Sequence, residues 1–421
     1  MVLGFMRVFD SGITVVKGVK ASGVHSGLKE EERKDLALIV IEGEPATCVA
    51  AFTINQVKGA HIIVSEKKLN RSSGRLKAIV CNSGNANCLT GERGIKDAEM
   101  MTEFVAEKLG VESDLVLPMS TGVIGKFLEM EKIKKGIGKA FDRLSFEGGS
   151  EAAEAITTTD THKKEIALEV ELENGSVVRV GGMAKGAGMI GPNLVISHAT
   201  MFAIIGTDAK INIETLKNHA SRAIDETFNM VAVDGDMSPN DTVIVFSTGK
   251  AESKNGGEVF ESQIFQKALQ KVMRELVMMI AKDGEGATKY VEVRIEEAES
   301  KEDAKKAALA VIKSPLVKCA IFGHDPNWGR VISAIGASGA KIRIEKLSLW
   351  ISTKTGEEVK LLENGQPIAV IGSKQAEKAQ KVLYKEEIIF RAVLGTGTEK
   401  ATAFGCDMSY DYVKINAEYT T

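Results

Sequence analysis

Short apolar runs closed by glycine or asparagine clusters recur along the chain and set its secondary structure. LALIVI (Leu36 to Ile41), KAIVCNSG (Lys77 to Gly84) and SVVRVGG (Ser176 to Gly182) carry the branched residues and flanking turns of strands. From Ile95 to Leu109 the period changes. Ala98, Met101, Val105 and Leu109 fall on one helical face, and Gly110 is a natural stop. Further helices are expected over Met130 to Leu144, Ile213 to Phe228 and Phe260 to Lys282. Another is expected behind a Ser300 cap with Asp303 three residues on, and one more after Ser373. Late strands are expected in KIRIEKLSLWI (Lys341 to Ile351), IIFRAVLG and YDYVKINA. Strands and helices mixed in this way, with few clean βαβ units, give a mixed, layered α+β architecture within the α/β class. No internal repeat or linker marks a domain boundary.

Composition narrows the function. The 421 residues are 44% apolar and 26% charged, which is globular and long enough for two or three domains. With 54 basic against 57 acidic side chains there is no electrostatic footprint for nucleic acid or a membrane surface, so a small-molecule partner is expected. The N-terminus MVLGFMRVFDSG lacks a secretory pattern and no apolar run is long enough for a membrane helix, so a cytoplasmic location is expected. Cys48, Cys81, Cys88, Cys319 and Cys406 are an odd set without C-x-x-C spacing, and most are expected to be buried thiols. Neither the cysteines nor the six scattered histidines suggest a metal site, and no cofactor is expected.

GAGMIG (Gly186 to Gly191) matches the dinucleotide fingerprint in letters. That motif works only where a helix opens at once and turns its amides to a pyrophosphate. Pro192 and Asn193 follow instead, then LVISHATMFAII, whose branched residues read as strand; Asp208 does not rescue the motif. Within that strand-like stretch stands Ala199-Thr200. A threonine hydroxyl is a weak nucleophile that needs a base, and the α-amine of the same residue can serve once the bond before it is cut. Attack of Thr200 Oγ on the Ala199 carbonyl, an N-to-O shift and hydrolysis would free that amine. Taken alone, Ala-Thr in an apolar strand is ordinary structure.

The wider run of motifs resembles one family. KGVKASGVHSGLK, FTINQVKGA (Phe52 to Ala60), CNSGNAN (Cys81 to Asn87), MSTGVIG (Met119 to Gly125) and TTTDT (Thr157 to Thr161) occur in order. GGMAKGAGMIGPN, ATM, DGDMSPNDT (Asp234 to Thr242), DGEGATK (Asp283 to Lys289), HDPNWGR (His324 to Arg330) and GCDMSYDYVKINAEYTT follow. Together they resemble the ornithine acetyltransferases, the glutamate N-acetyltransferases of arginine biosynthesis, nearly end to end.

The resemblance implies an ornithine acetyltransferase-type fold with N-terminal-nucleophile-like self-processing and a smaller C-terminal domain. It implies a cut between Ala199 and Thr200, giving an α chain of residues 1–199 and a β chain of 200–421, assembled two and two. In space, about 1–290 would form the main catalytic domain and about 291–421 the C-terminal one. Thr200 would carry the acetyl group from N-acetylornithine to glutamate in ping-pong fashion, and whether acetyl-CoA also serves as donor is left open. Thr121 and Gly122 would form the oxyanion hole. Thr158, Lys185, Thr200, Glu285, Asn416 and Thr421 would bind substrate, Lys185 suiting a carboxylate and Glu285 the ornithine ammonium. Thr159 competes with Thr158 for its place. NSGNAN reads as self-bonding structural support, and HDPNWGR as a rigid turn with Asp325 and Arg330 paired and His324 structural.

One departure from the family pattern falls at the proposed cut. The stretch from Lys185 to Ala199 is some four residues longer than the family's, adding Ser197 and His198 beside the scissile bond. An N-terminal-nucleophile amidase, with water as acceptor, and an unprocessed amino-acid-binding relative are the alternatives.

Overall fold

LALIVI forms the strand Leu36–Ile41, buried on both faces, and those faces define the layers of the molecule. Side chains alternate along a strand. Ala37, Ile39 and Ile41 pack with Phe52, Phe202, Ile204 and Phe246, whereas Leu36, Leu38 and Val40 pack with Met101, Val105, Ile133 and Ile137. A computed structural model describes residues 6–30, 32–192, 194–195, 201–252 and 262–418. Ala199, Thr200 and Thr421 lie outside the described residues, as do Asn193, Ser197 and His198.

Leu36–Ile41 belongs to a four-stranded sheet in the order Val19–Val24, Leu36–Ile41, Ala78–Asn85, Val116–Val123. One face is covered by the helices Gly91–Leu109 and Met130–Asp142. The other lies on an eight-stranded sheet whose centre runs Lys164–Glu171, Val177–Lys185, Phe202–Thr207, Thr242–Ser247, Ala46–Thr53. The far face of that sheet, with Ala203, Ile205, Val243 and Val245, packs on Leu216 and Ala220 of Ile213–Glu226 and on Leu269, Val272 and Leu276 of Gln263–Lys282. Two sheets therefore lie between two helical layers. A seven-stranded sheet built mainly from residues 290–406, with Tyr290–Ala298 and Glu387–Val393 central, continues the same apolar core beyond the second helical layer.

The helix starts expected at Ser300 and Ser373 form, and Ser262 adds a third of the same kind. Ser262, Ser300 and Ser373 accept N–H bonds from Phe265 at 3.0 Å, Asp303 at 3.1 Å and Ala376 at 3.2 Å. Gly110 caps its helix with φ 65°, in the left-handed region that glycine adopts without strain. Two helices end two residues short of the expected Leu144 and Phe228, at Asp142 and Glu226, while those expected to end at Leu109 and Lys282 do so.

Two expected strands are corrected. Lys341 to Ile351 is a strand only over Ser348–Ser352, preceded by the tight turn Ile344–Lys346. YDYVKINA is not a strand at all but the helix Tyr410–Glu418. Its alternation imitates a period of two, yet it has no strand partner: Ser409 Oγ accepts the Asp411 N–H at 3.1 Å and Asn416 Nδ2 reaches back to the Tyr412 carbonyl at 3.0 Å. After Gly191 the chain enters the short strand Leu194–Val195, paired with Thr53 and Phe52, so no helix opens on GAGMIG. Cys48, Cys81, Cys88 and Cys406 are buried and Cys319 is exposed.

Ile39 is fully buried where the two sheets meet. Ile39→Ala is expected to cost about 2–5 kcal/mol in denaturant unfolding, the range for large-to-small core changes.

Candidate active site

The strand Val177–Lys185 ends by delivering Lys185 into the middle of the molecule, opposite Phe202 in antiparallel register. Its ammonium is buried. It donates to Thr121 Oγ1 and to Thr158 Oγ1, both at 3.1 Å, and stands 5.9 Å from the centre of the Phe202 ring. Burial pulls the Lys185 pKa down, while Asp160 and Asp241 hold it up. Because Thr121 Oγ1 accepts from a cation, its own proton is turned elsewhere and is a polarised donor.

Gly122 follows at φ 129°, and a Cβ there would lie 2.4 Å from the Gly84 carbonyl carbon. Only glycine lets this strand end press on the parallel strand beside it. The contact is held from below by NSGNAN, whose side chains bond its own backbone as the sequence implied: Asn85 Oδ1 accepts the Asn87 N–H and Asn82 Nδ2 donates to the Asn85 carbonyl, both at 2.8 Å, while Asn82 Oδ1 accepts from Ser120 Oγ of the next strand at 2.7 Å. Asn240, which sequence reasoning gave no role, adds the cross-brace, with Nδ2 donating to the carbonyls of Ala86 at 2.5 Å and Ser120 at 2.7 Å. A peptide unit is planar, so holding the Ser120 carbonyl also fixes the direction of the Thr121 amide.

Asp160 was also missed. Its buried carboxylate accepts from Lys164 Nζ at 2.6 Å, from the Gly186 N–H at 2.7 Å and from the Thr158 N–H at 2.9 Å. Burial alone would raise its pKa, but Lys164, then Lys185 and the Gly186 amide, outweigh that and hold it at about 2. Lys164 also reaches Asp283 at 2.5 Å, which ties the TTTDT loop to DGEGATK. Beyond Asp283, Glu285 accepts from Asn416 Nδ2 at 2.8 Å. Gly188 makes room, since a Cβ there would meet the Glu285 carboxyl at 2.4 Å. Gly286 likewise lets the last helix in, its missing Cβ lying 2.4 Å from the Tyr412 nitrogen. That helix puts residues 412 and 416 on one face, which a strand would also have done, but with a one-turn spacing that brings both to the same carboxylate wall.

Thr121, Gly122, Thr158, Lys185, Glu285 and Asn416 therefore line one cleft of about 790 Å³. Thr159 lines it as well, but the lysine bond goes to Thr158. Asp241 closes the wall with a buried carboxylate oxygen that has no partner among the described residues; burial pushes its pKa well up, and Lys185 offsets this only in part. Behind it, His61 is held neutral by burial, its pKa pushed down to about 3, and its Nε2 lies 3.0 Å from Thr242 Oγ1. His324, Asp325 and Arg330 are elsewhere. His324 stacks on Tyr384 at 4.4 Å, and Asp325 and Arg330 approach only to 3.9 Å.

A family model described as the ArgJ family matches residues 20–421. A glutamate N-acetyltransferase of Methanocaldococcus jannaschii is 46% identical over 420 residues, covering 99% of this chain and 100% of its own. An arginine biosynthesis bifunctional protein ArgJ of Caldanaerobacter subterraneus subsp. tengcongensis is 46% identical over 417 residues, again 99% of this chain and 100% of the relative. Among solved structures, an ornithine acetyltransferase complexed with ornithine from Mycobacterium tuberculosis is similar at 38% identity and a TM-score of 0.43, over 45% of this chain and 100% of that one.

The Asp160 pKa is lower in the folded protein than the usual unfolded carboxylate value of about 3.9. Its stabilisation is therefore complete above about pH 4 and is lost as pH falls through about 2. Asp160→Asn is expected to be less stable than the parent at pH 6, with the gap narrowing towards pH 2. Denaturant unfolding across a pH series measures this.

Proposed function

The chain belongs to the ArgJ family, and from that footing we propose that it transfers the acetyl group of N-acetylornithine to glutamate through an ester on Thr200. One observation carries the reading. A chain matched along its whole length by a glutamate N-acetyltransferase brings Thr121, Gly122, Thr158, Lys185, Glu285 and Asn416 into a single cleft.

The chemistry assigned to each group follows from its setting. Cleavage between Ala199 and Thr200 frees an α-amine, which takes the proton of Thr200 Oγ as the oxygen attacks the acetyl carbonyl. The tetrahedral oxyanion is met by the donors at Thr121 and Gly122, the first polarised by Lys185. Collapse breaks the amide bond, the amine returns the proton to the departing α-nitrogen, and ornithine leaves. The α-amine of glutamate then attacks the ester, gives up a proton by the same route and departs acetylated, so that Thr200 Oγ–H is restored. Lys185 suits the α-carboxylate beside the reacting nitrogen, and the Glu285–Asn416 pair suits the ornithine ammonium. Thr421 completes the binding set in this reading, and the processed chains assemble two and two.

The cut need not separate the fold. Val177–Lys185 pairs with Phe202–Thr207 and Ala46–Thr53 with Thr242–Ser247, so two strands from residues 200–421 lie between strands from residues 1–199 in one sheet.

Intact-mass spectrometry under denaturing conditions tests the first step: the wild-type protein is expected as two pieces split before Thr200, and Thr200→Ala as one uncut, transfer-dead chain. A Thr200→Ala protein that still moves acetyl groups would refute the mechanism. Glu285→Gln removes one charge-assisted contact and is expected to raise the KM for N-acetylornithine about tenfold, and more than the KM for glutamate. Equal rises would argue against its assigned partner.

A further inference from the structure

A cleft that works by this transfer scheme takes two side chains of opposite charge in turn. N-acetylornithine ends in an ammonium and glutamate in a carboxylate, while the reacting nitrogen is the α-nitrogen of both. The Glu285 wall suits only the first. Asp234 and Asp236 line the cleft along with Glu285, and a carboxylate brought among them would be repelled.

Another part of the same lining has the opposite sign. Lys29, Arg33 and Lys126 all border the cleft, together with Glu30 from the same loop as the first two, so cations outnumber the carboxylate three to one there. The loop that presents the first two is built around the buried carboxylate of Asp35, which accepts the N–H groups of Ser26, Gly27, Leu28 and Lys29 at 2.6, 3.1, 2.8 and 3.0 Å. Four amides on one carboxylate leave the backbone at Lys29 no freedom to move away. From there Lys29 Nζ donates to the carbonyls of Thr157 at 2.6 Å and Lys34 at 3.0 Å, and Arg33 Nη2 donates to the Thr158 carbonyl at 3.1 Å. Both cations thus reach the turn whose Thr158 hydroxyl meets Lys185.

These carbonyls are neutral acceptors, so they satisfy hydrogen bonds without cancelling charge. Burial, with repulsion from Arg33 and Lys185, lowers the Lys29 pKa to about 8, against the opposing pull of Asp35 and Asp160. Lys29, Arg33 and Lys185 meet at the Thr157–Thr158 turn, and an incoming carboxylate would relieve their repulsion.

We propose that Lys29 and Arg33 form a separate side-chain subsite for the carboxylate of the acceptor glutamate, while Glu285 and Asn416 serve the ornithine ammonium. The two subsites share the α-carboxylate anchor at Lys185. This inference rests on the acetyl-transfer reading. It explains how one site handles both partners without rearranging a buried charge: the α-carbon substituents stay put and the side chain takes one of two directions.

The test uses the full-length protein with N-acetylornithine as donor and compares glutamate with glutamine, its neutral isostere, as acceptor. Lys29→Gln and Arg33→Gln are each expected to lower the glutamate-over-glutamine ratio of kcat/KM about tenfold, the loss of one charge-assisted hydrogen bond. They are also expected to raise the KM for glutamate more than that for N-acetylornithine. Arg33 is exposed, so its variant keeps the test open if Lys29→Gln fails to fold. An unchanged ratio in a folded variant, or both KM values rising together, would overturn the subsite. A wild-type protein that passes acetyl to neither acceptor would sink the transfer reading, and the subsite with it.

Discussion

Asp160 is the constraint on which the cleft depends. A carboxylate taken out of water must be fully bonded or it neutralises itself. Here Lys164 supplies the charge, and the amides of Thr158 and Gly186 supply direction. Each of those partners belongs to a different part of the site. Thr158 carries a hydroxyl to Lys185, Gly186 begins the loop just after Lys185, and Lys164 passes the connection on to Asp283 and so to the loop of Glu285. The pair is buried, and removing Lys164 would leave two carboxylates, Asp160 and Asp283, without the cation between them, which is far costlier than losing a surface bridge.

The β-ladder gives the second level of control. Lys185 sits opposite Phe202, and Thr242 N–H bonds the carbonyl of the preceding Met201 at 2.6 Å. Lys185, the entry to Phe202–Thr207 and the Asn240–Asp241 turn are therefore held in one register. The floor of the cleft is rigid sheet, whereas its charged walls are loops closed by glycine contacts at Gly122, Gly188 and Gly286. Loops on a rigid scaffold are where specificity can vary without loss of fold.

Much of this was legible in the sequence, and the losses have physical causes. LALIVI and the serine-capped helices were legible because local chemistry decides them. YDYVKINA was misread because its alternation is real but its partner is not a strand: Ser409 and Asn416 tie it to the 283–289 loop instead, through the Gly286 carbonyl and Glu285. The site residues Thr121, Gly122, Thr158, Lys185, Glu285 and Asn416 came from family resemblance, since a lone lysine or glutamate looks like solvated surface until the fold buries it. Asp160 and Asn240 stood inside quoted motifs, TTTDT and DGDMSPNDT, but their work is done on backbone groups distant in sequence, which spacing alone does not reveal. Lys29 and Arg33 fall in an ordinary-looking charged stretch, and only the Asp35 amide cluster at Lys29 and the Thr158 carbonyl at Arg33 show their place at the cleft.

The central claim is that the acetyl group rests on Thr200 between donor and acceptor. The most direct measurement is mass spectrometry of the protein quenched in acid after mixing with N-acetylornithine in the absence of glutamate. The account predicts one added acetyl group on the peptide that begins at Thr200, lost again when glutamate is supplied before the quench. Transfer at full rate with no acetylated peptide at any time would mean that the group passes directly from donor to acceptor, and would contradict the account.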